Sequence, residues 1–349
     1  MSGDLERRYR RVLRLLPGYY REQWEEDMVA ALLDGWLTGD PEADEYISKA
    51  ARPSWAEVAS VAGLAARRYL GGAGAPRRYF AWGQAVRRVV LAVMLVHAVL
   101  GLGVLVRTAW SRHVFRWLPA PPASLMTVSP GGVWLTVYYV VNVAWIVIFV
   151  ALVLGHYRTA RVIAVLAIVP GLVALLQAQL TGTMPVPFGP WAFWVLLSLA
   201  PVLAMAAFHR DAPPAARRPW LLALPAGYLL VAVPLLAVQA TGNFAWLPDF
   251  PGLCCLLVAL ACLAHAPRAW SRRADGSGVW SLALTLLAAV AGAYRIVSLT
   301  DYLHDPHLIQ VSLAELLLLV IAVALVAPDA ARAQAATPAP LPYPHTMAA

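Results

Sequence analysis

The residues of this chain whose types best suit chemistry gather near its C-terminal end. The run Tyr294-Arg295-Ile296-Val297-Ser298-Leu299-Thr300-Asp301-Tyr302-Leu303-His304-Asp305-Pro306-His307 is followed by Glu315 inside an apolar stretch. An ionisable group within a membrane span is costly and tends to face the bundle interior with a partner. Glu315 lies seven residues into its stretch, roughly 10 Å deep at the helical rise. Arg295 approaches from the end of the preceding stretch, so an ion pair is expected. Two roles are open to that pair: mutual neutralisation that pins two helices, or a site for a substrate or a proton. His97, near the middle of the first apolar stretch, would complete a proton relay if it faced the same cavity as Glu315. Asp301, His304, Asp305 and His307 form an outer-loop cluster with the side-chain chemistry of zinc ligands. Their spacing matches no metal motif, and a solvated loop with Asp before Pro is the commoner origin of such residues. No metal and no cofactor is therefore assigned.

Other catalytic signatures do not occur. The sequence has no Gly-rich phosphate loop, no HExxH, no GxSxG and no CxxC. Cys254, Cys255 and Cys262 share one apolar stretch, where thiols behave as small hydrophobes. Asn142, Gln177 and Gln179 are expected, like His97, to hydrogen-bond between helices.

The elements that must position these residues follow from composition. Of 349 residues 60% are hydrophobic and 13% charged, against roughly 45–50% and 25% in ordinary soluble domains. The charges are unevenly placed: residues 1–88 hold 14 of the 27 Lys+Arg and 12 of the 19 Asp+Glu. A charged head and an all-α membrane bundle follow, with domains expected at 1–75 (cytosolic and helical), 76–88 (basic and juxtamembrane), 89–326 (transmembrane) and 327–349 (a Pro/Ala-rich cytosolic tail). Net charge +8 would point a soluble protein toward nucleic acid. Here membrane topology accounts for the arginines, and no direct nucleic-acid binding is expected.

Spanning requires about 20 apolar residues. Eight stretches come close: 89–106, 133–154, 162–180, 191–208, 220–238, 251–266, 279–297 and 308–326. The connections 155–161, 209–219 and 266–278 carry Arg158, Arg161, Arg210, Arg217, Arg218, Arg268, Arg272 and Arg273, whereas 181–190, 239–250 and 298–307 carry no Lys or Arg. This alternation is the positive-inside pattern for eight spans with both termini cytoplasmic, in a cytoplasmic membrane. The short sixth stretch must cross to preserve it. No secretory signal opens the chain, and the first apolar run, at Val89, reads as an internal anchor. One outer connection breaks the rule. In Thr108–Leu118, Trp110, Val114, Trp117 and Leu118 share one helical face while Arg112, His113 and Arg116 share the other, a pattern open to two readings: an interfacial helix with Arg112 and Arg116 at lipid phosphates, or a lid packed on the bundle. Pro170, Pro201, Pro225 and Pro234 are expected to kink their spans. No repeat relates the first four spans to the last four, which counts against an inverted-repeat transporter.

In the head, Leu5, Tyr9, Val12, Leu13 and Leu16 recur at helical spacing among arginines until Pro17 and Gly18 end the helix. A second helix, about Tyr20 to Leu37, carries Glu22, Glu25, Glu26 and Asp27 in its early turns. An acidic loop, Gly39 to Ala51, precedes Ser54 and Glu57, which are spaced as a capping box and start a third helix through about Leu70. Gly71, Gly72 and Gly74 then make a flexible connection. Beyond it Arg77, Arg78, Arg87 and Arg88 flank Tyr79, Phe80 and Trp82 in a segment suited to lipid contact at an anionic leaflet. A unit this small buries little core and needs support from a membrane, a second copy or a partner.

The run Arg7-Arg8-Tyr9-Arg10-Arg11-Val12-Leu13-Arg14-Leu15-Leu16-Pro17, with Tyr20-Arg21, Glu25-Glu26-Asp27-Met28 and Leu32-Leu33-Asp34, resembles the opening of actinobacterial multi-pass membrane proteins with an N-terminal helical domain of the HAAS or permease-prefix type. The resemblance covers residues 1 to about 70. It implies a regulatory head that binds protein through residues 1–75, a PadR-type transcriptional regulator being the implied partner class. The expected function is accordingly non-enzymatic: a membrane protein whose head binds a partner. A secondary transporter or permease component with a polar site near Arg295 and Glu315 is the alternative, and a membrane hydrolase using the outer His/Asp loop ranks behind both.

Overall fold

The computed structural model describes residues 4–36, 40, 42, 46–47, 50–72, 75–116, 133–182, 188–209, 212, 215–241, 249–271, 277–302 and 305–335. Among the described residues the regular structure is helical, without strands. The head contains the helices α1 (Asp4–Leu13), α2 (Gly18–Trp36) and α3 (Trp55–Tyr69). After them come α4 (Arg77–Ser111), α5 (Val133–Leu154), α6 (Tyr157–Thr181), α7 (Phe188–Ala204), α8 (Arg217–Thr241), α9 (Phe250–Trp270), α10 (Ser277–Ser298) and α11 (Pro306–Ala335). Six of these, α4, α5, α6, α9, α10 and α11, are long and apolar enough to cross a membrane. The chain is thus an all-helical protein with the helices of a membrane-embedded one. Among the six is α9, whose 21 residues extend the expected 251–266 stretch by a full turn at its C-terminal end.

Two compact units result, one chiefly from residues up to Gln84, the other from Ala85–Phe208 and Pro213–Ala333. The boundary falls inside α4, which runs unbroken through the expected juxtamembrane segment. In the first unit Tyr9, Leu13, Leu16, Val29, Val61 and Ala65 form the core, edged by Tyr20, Met28 and Leu32. The periodic apolar residues of the sequence therefore do meet. Ser54 and Glu57 make the anticipated reciprocal cap, Ser54 N–H donating to Glu57 at 2.6 Å and Glu57 N–H to the Ser54 hydroxyl at 3.2 Å. The described glycines after α3, Gly71 and Gly72, form its C-terminal turn. Gly71 adopts φ 76° and closes α3 as Gly72 N–H donates back to Arg67 O at 2.8 Å. A Cβ at Gly83 would overlap the Leu70 carbonyl, so only glycine lets the start of α4 pass so close to the end of α3. Tyr79 stacks beside Tyr19 and Tyr69, with centroids 5.2 and 5.7 Å away.

Among the described residues the second unit has a small core of Ala85, Leu282, Ala283 and Ala330, which joins α4 to α10 and α11, and two larger ones. One joins α4, α5, α6 and the end of α7 through Met94, Ala98, Ile148, Phe149, Leu152, Ala160, Ala164, Met205 and Phe208. The other joins α9, α10 and α11 through Cys255, Ala259, Cys262, Ala266, Leu284, Ala288, Ala291, Leu319, Ala322 and Val326. Its many alanines and cysteines permit close helix approach. All three thiols are free, and Cys255 and Cys262 pack as small hydrophobes. Pro170 and Pro201 lie inside α6 and α7.

Three sequence expectations change. The interfacial helix over Thr108–Leu118 does not form. α4 continues to Ser111 and then stops, with His113 at φ 54°, His113 N–H donating to Trp110 O at 2.9 Å and Val114 N–H to Ala109 O at 3.0 Å. This left-handed C-terminal cap breaks the helical face on which the expectation rested; Arg112 and Arg116 are exposed beyond it, and Trp117 and Leu118 lie outside the described residues. The expected tail from residue 327 also begins later, because α11 continues through Ala335. The expected acidic loop lies mostly outside the described residues, but Glu42, Tyr46, Ile47 and Ala50 within it are helical, and Arg8 donates to Ala51 O at 2.7 Å.

Candidate functional site

The expected Arg295–Glu315 pair forms, and a third residue joins it. α9 begins with Asp249 as N-cap, one carboxylate oxygen accepting Gly252 N–H at 3.0 Å. Its other oxygen accepts from Arg295 Nη1 at 2.5 Å. Arg295, in the last turn of α10, reaches Glu315 of α11 with Nη2 at 2.7 Å. One guanidinium therefore binds the same end of three helices together. Arg295 is 2% and Glu315 6% exposed, whereas the Asp249 side chain retains 29% exposure.

The backbone makes room for this cluster. A Cβ at Gly252 would collide with the Glu315 carboxylate and with Asp249 Oδ1. The Phe250 ring meets Tyr294 edge to face, centroids 6.0 Å apart. Ser298 Oγ donates to Arg295 O at 2.8 Å, securing the last turn of α10.

A second polar cluster closes the other end of the same three helices. His265 Nε2 lies 3.2 Å from Ser281 Oγ, which donates to Asp329 Oδ2 at 2.8 Å. Arg332 approaches Asp329 at 3.4 Å and donates to Ala269 O at 3.3 Å. Ser281 and Arg295 are fourteen residues apart on α10, as are Glu315 and Asp329 on α11. That spacing is nearly four whole turns, so both clusters lie on the facing sides of the helices, about 21 Å apart. Ser, His and Asp thus meet, with the Ser281 hydroxyl donating to Asp329 and His265 Nε2 within hydrogen-bond distance of the same Ser281 oxygen.

The remaining candidates disperse. His97 bonds Val93 O of its own helix at 2.9 Å through Nδ1 and lies against Trp145, 4.7 Å between centroids. That ties it to α4 and α5, and no described contact joins it to Glu315. Asn142 likewise donates to its own helix, to Tyr138 O at 2.8 Å, so the interhelical hydrogen bonds expected of both are replaced by bonds to the preceding turn. Asp305 caps α11, accepting from His307 N–H at 3.0 Å and Leu308 N–H at 3.3 Å, and His307 is exposed. The Asp301 side chain and His304 lie outside the described residues. No group of three His, Cys, Asp or Glu able to hold a metal occurs among the described residues.

Of the arginines expected at lipid, Arg77 and Arg78 are exposed, but Arg87 is buried, 3% exposed. Its Nη1 donates to Ala207 O at 3.0 Å. Arg161 converges on the same helix end, donating to Met205 O at 3.0 Å and to Phe208 O. Cationic groups there satisfy carbonyls left open where α7 ends and oppose its dipole. Arg88 lies over the Trp280 ring, 4.3 Å from its centroid. Arg87 and Arg88 thus face protein because helix-end carbonyls and an indole are available there, which corrects the lipid-contact expectation for both.

Sequence reasoning missed Asp249, Gly252, His265, Ser281 and Asp329. Two signals pointed to them. Asp249 precedes Phe250-Pro251, a helix-start signature. Beyond residue 88 only seven acidic residues occur, and three of them, Asp249, Glu315 and Asp329, lie in the two clusters. No protein-family model, curated protein or solved structure matches the chain.

Proposed function

We propose that the chain is an eight-span protein of the cytoplasmic membrane, both termini cytoplasmic, whose head binds a regulatory protein and couples that binding to the membrane bundle without catalysing a reaction. The observation that carries this reading is the head itself. It has its own core, its described residues contain no catalytic constellation, and Trp55 and Tyr46 are exposed by 87% and 73%. Exposed aromatic anchors on a small helical unit are what a protein partner buries. The resemblance of residues 1 to about 70 to HAAS-type heads supports a PadR-type regulator as the partner class. Arginine alternation between connections supports the orientation, and the length of α9 supports a sixth crossing. A photo-reactive amino acid at position 55 of the full-length protein in its own membranes is expected to cross-link one helix-turn-helix regulator. Adducts with lipid alone would contradict this function.

The burial of the ionisable groups at Arg295 and Glu315 favours a second reading, a transporter with a charged intramembrane site. Glu315→Gln separates the two. Full abundance with lost transport supports the transporter, and unchanged partner binding with no transport in the parent protein supports the regulatory reading.

A further inference from the structure

We propose that the first turns of α4 form a docking surface for anionic phospholipid headgroups, built from Arg77, Arg78, Phe80 and Trp82. The sequence offers four arginines to lipid in this segment, and the structure divides them. Arg87 and Arg88 are occupied by the α7 carbonyl end and by Trp280. Arg77 and Arg78 are exposed, with Arg78 held outward over the Tyr79 ring, 4.6 Å from its centroid, and donating to the Tyr79 hydroxyl at 2.8 Å. Phe80 and Trp82 beside them are 43% and 37% exposed, while Ala81 and Gly83 are buried.

Continuity identifies the occupant. α4 is one helix of 35 residues, about 52 Å long, which exceeds the roughly 30 Å hydrocarbon layer. Its polar start must therefore stand outside the hydrocarbon. Counting back from Val89 at 1.5 Å per residue, Trp82 lies about 10 Å and Arg78 about 16 Å from that boundary on an upright helix. Both positions lie beyond the headgroup layer, roughly 5–7 Å per leaflet, and within about a Debye length of its surface. Arginines within a Debye length of an anionic leaflet, with an aromatic side chain between them and the hydrocarbon boundary, draw a juxtamembrane helix toward that leaflet. Charge complementarity points the same way: no Asp or Glu occurs between Glu57 and Asp211, so no sequence neighbour neutralises these arginines.

The test uses the full-length protein in nanodiscs of phosphatidylcholine mixed with phosphatidylglycerol, with retained lipids counted by native mass spectrometry. The parent protein is expected to retain phosphatidylglycerol preferentially. Each arginine near an anionic surface contributes roughly a fivefold preference, so Arg77→Gln with Arg78→Gln should reduce the ratio about 25-fold. An unchanged ratio overturns the proposal, including the case in which an acidic protein rather than lipid occupies the surface. If that variant fails to accumulate, a nitroxide at Phe80→Cys, with the three native cysteines replaced by alanine, gives a separate reading. Stronger broadening by a nickel chelate carried on lipid headgroups than by the same chelate free in solution supports headgroup contact, and the reverse order overturns it.

Discussion

Two arginines in this molecule do the same job in opposite surroundings. In the head, Arg10 of α1 pairs with Glu6 of its own helix at 2.9 Å and with Glu25 and Glu26 of α2 at 3.5 and 2.7 Å. In the bundle, Arg295 links Asp249 and Glu315 across three helices. Each guanidinium is shared among carboxylates and each joins helices, but Glu26 stands in water with 79% of its side chain exposed, and Glu315 retains 7%. Water and salt screen the first network, so its pairs add little net stability. In the second the cost of leaving water has already been met, and removing one partner strands the others. Similar distances thus carry different consequences, and the surrounding dielectric decides which.

The comparison is tested most severely by Arg295→Met. It removes the cation shared by the buried Glu315 and the part-exposed Asp249, and a loss of about 3–5 kcal/mol is expected, read as collapse of folded yield and of the thermal midpoint in detergent. Gly252→Ala keeps every charge and adds a methyl group where the Glu315 carboxylate lies, so about 1–3 kcal/mol of overpacking is expected in the same assay. If alanine there were neutral, the three-helix clasp would be looser than its geometry. Ser281→Ala tests the opposite end by removing a donor to the buried Asp329, with a loss of about 1–3 kcal/mol. The smallest effect is expected for Arg10→Ala, a slight fall in head stability that disappears at high salt. Its pH signature is more specific. The hydrogen bond from Arg10 holds the Glu26 carboxyl below its ordinary value of 4.5. A carboxyl lowered by folding stabilises the folded state above its unfolded pKa, and that contribution fades as pH falls through the lower, folded value. Acid titration of the parent head should show this loss below about pH 4.5, and Arg10→Ala should reduce it.

Glu57 adds to the same acid window by a different route. Burial works to raise its carboxyl, but hydrogen bonds from Ser54 and from Trp36 Nε1, at 3.1 Å, outweigh burial and lower it. The Ser54–Glu57 half of that arrangement was legible in the sequence because a capping box is local, three residues long. The Trp36 half was not, because it joins residues 21 apart.

The same distinction of range runs through the bundle. Arg295 with Glu315 was legible because two ionisable groups face each other across one short connection. Asp249 was not, since it belongs to a different connection, and only the pairing of α9 with α10 brings it to Arg295. Arg87 read as a lipid contact because sequence shows a cation next to an apolar span; the carbonyl that captures it, Ala207, lies 120 residues away.

The sequence by itself determined what depends on composition and neighbours: helices of membrane length, a charged head, its cap at Ser54 and the tendency of Glu315 to seek a cation. Hydropathy and helix capping are summed over adjacent residues, so the chain order carries them. Only the tertiary structure decided which cations became buried and which carboxylates met them. Burial and dielectric belong to the packed helices, and no run of residues contains them.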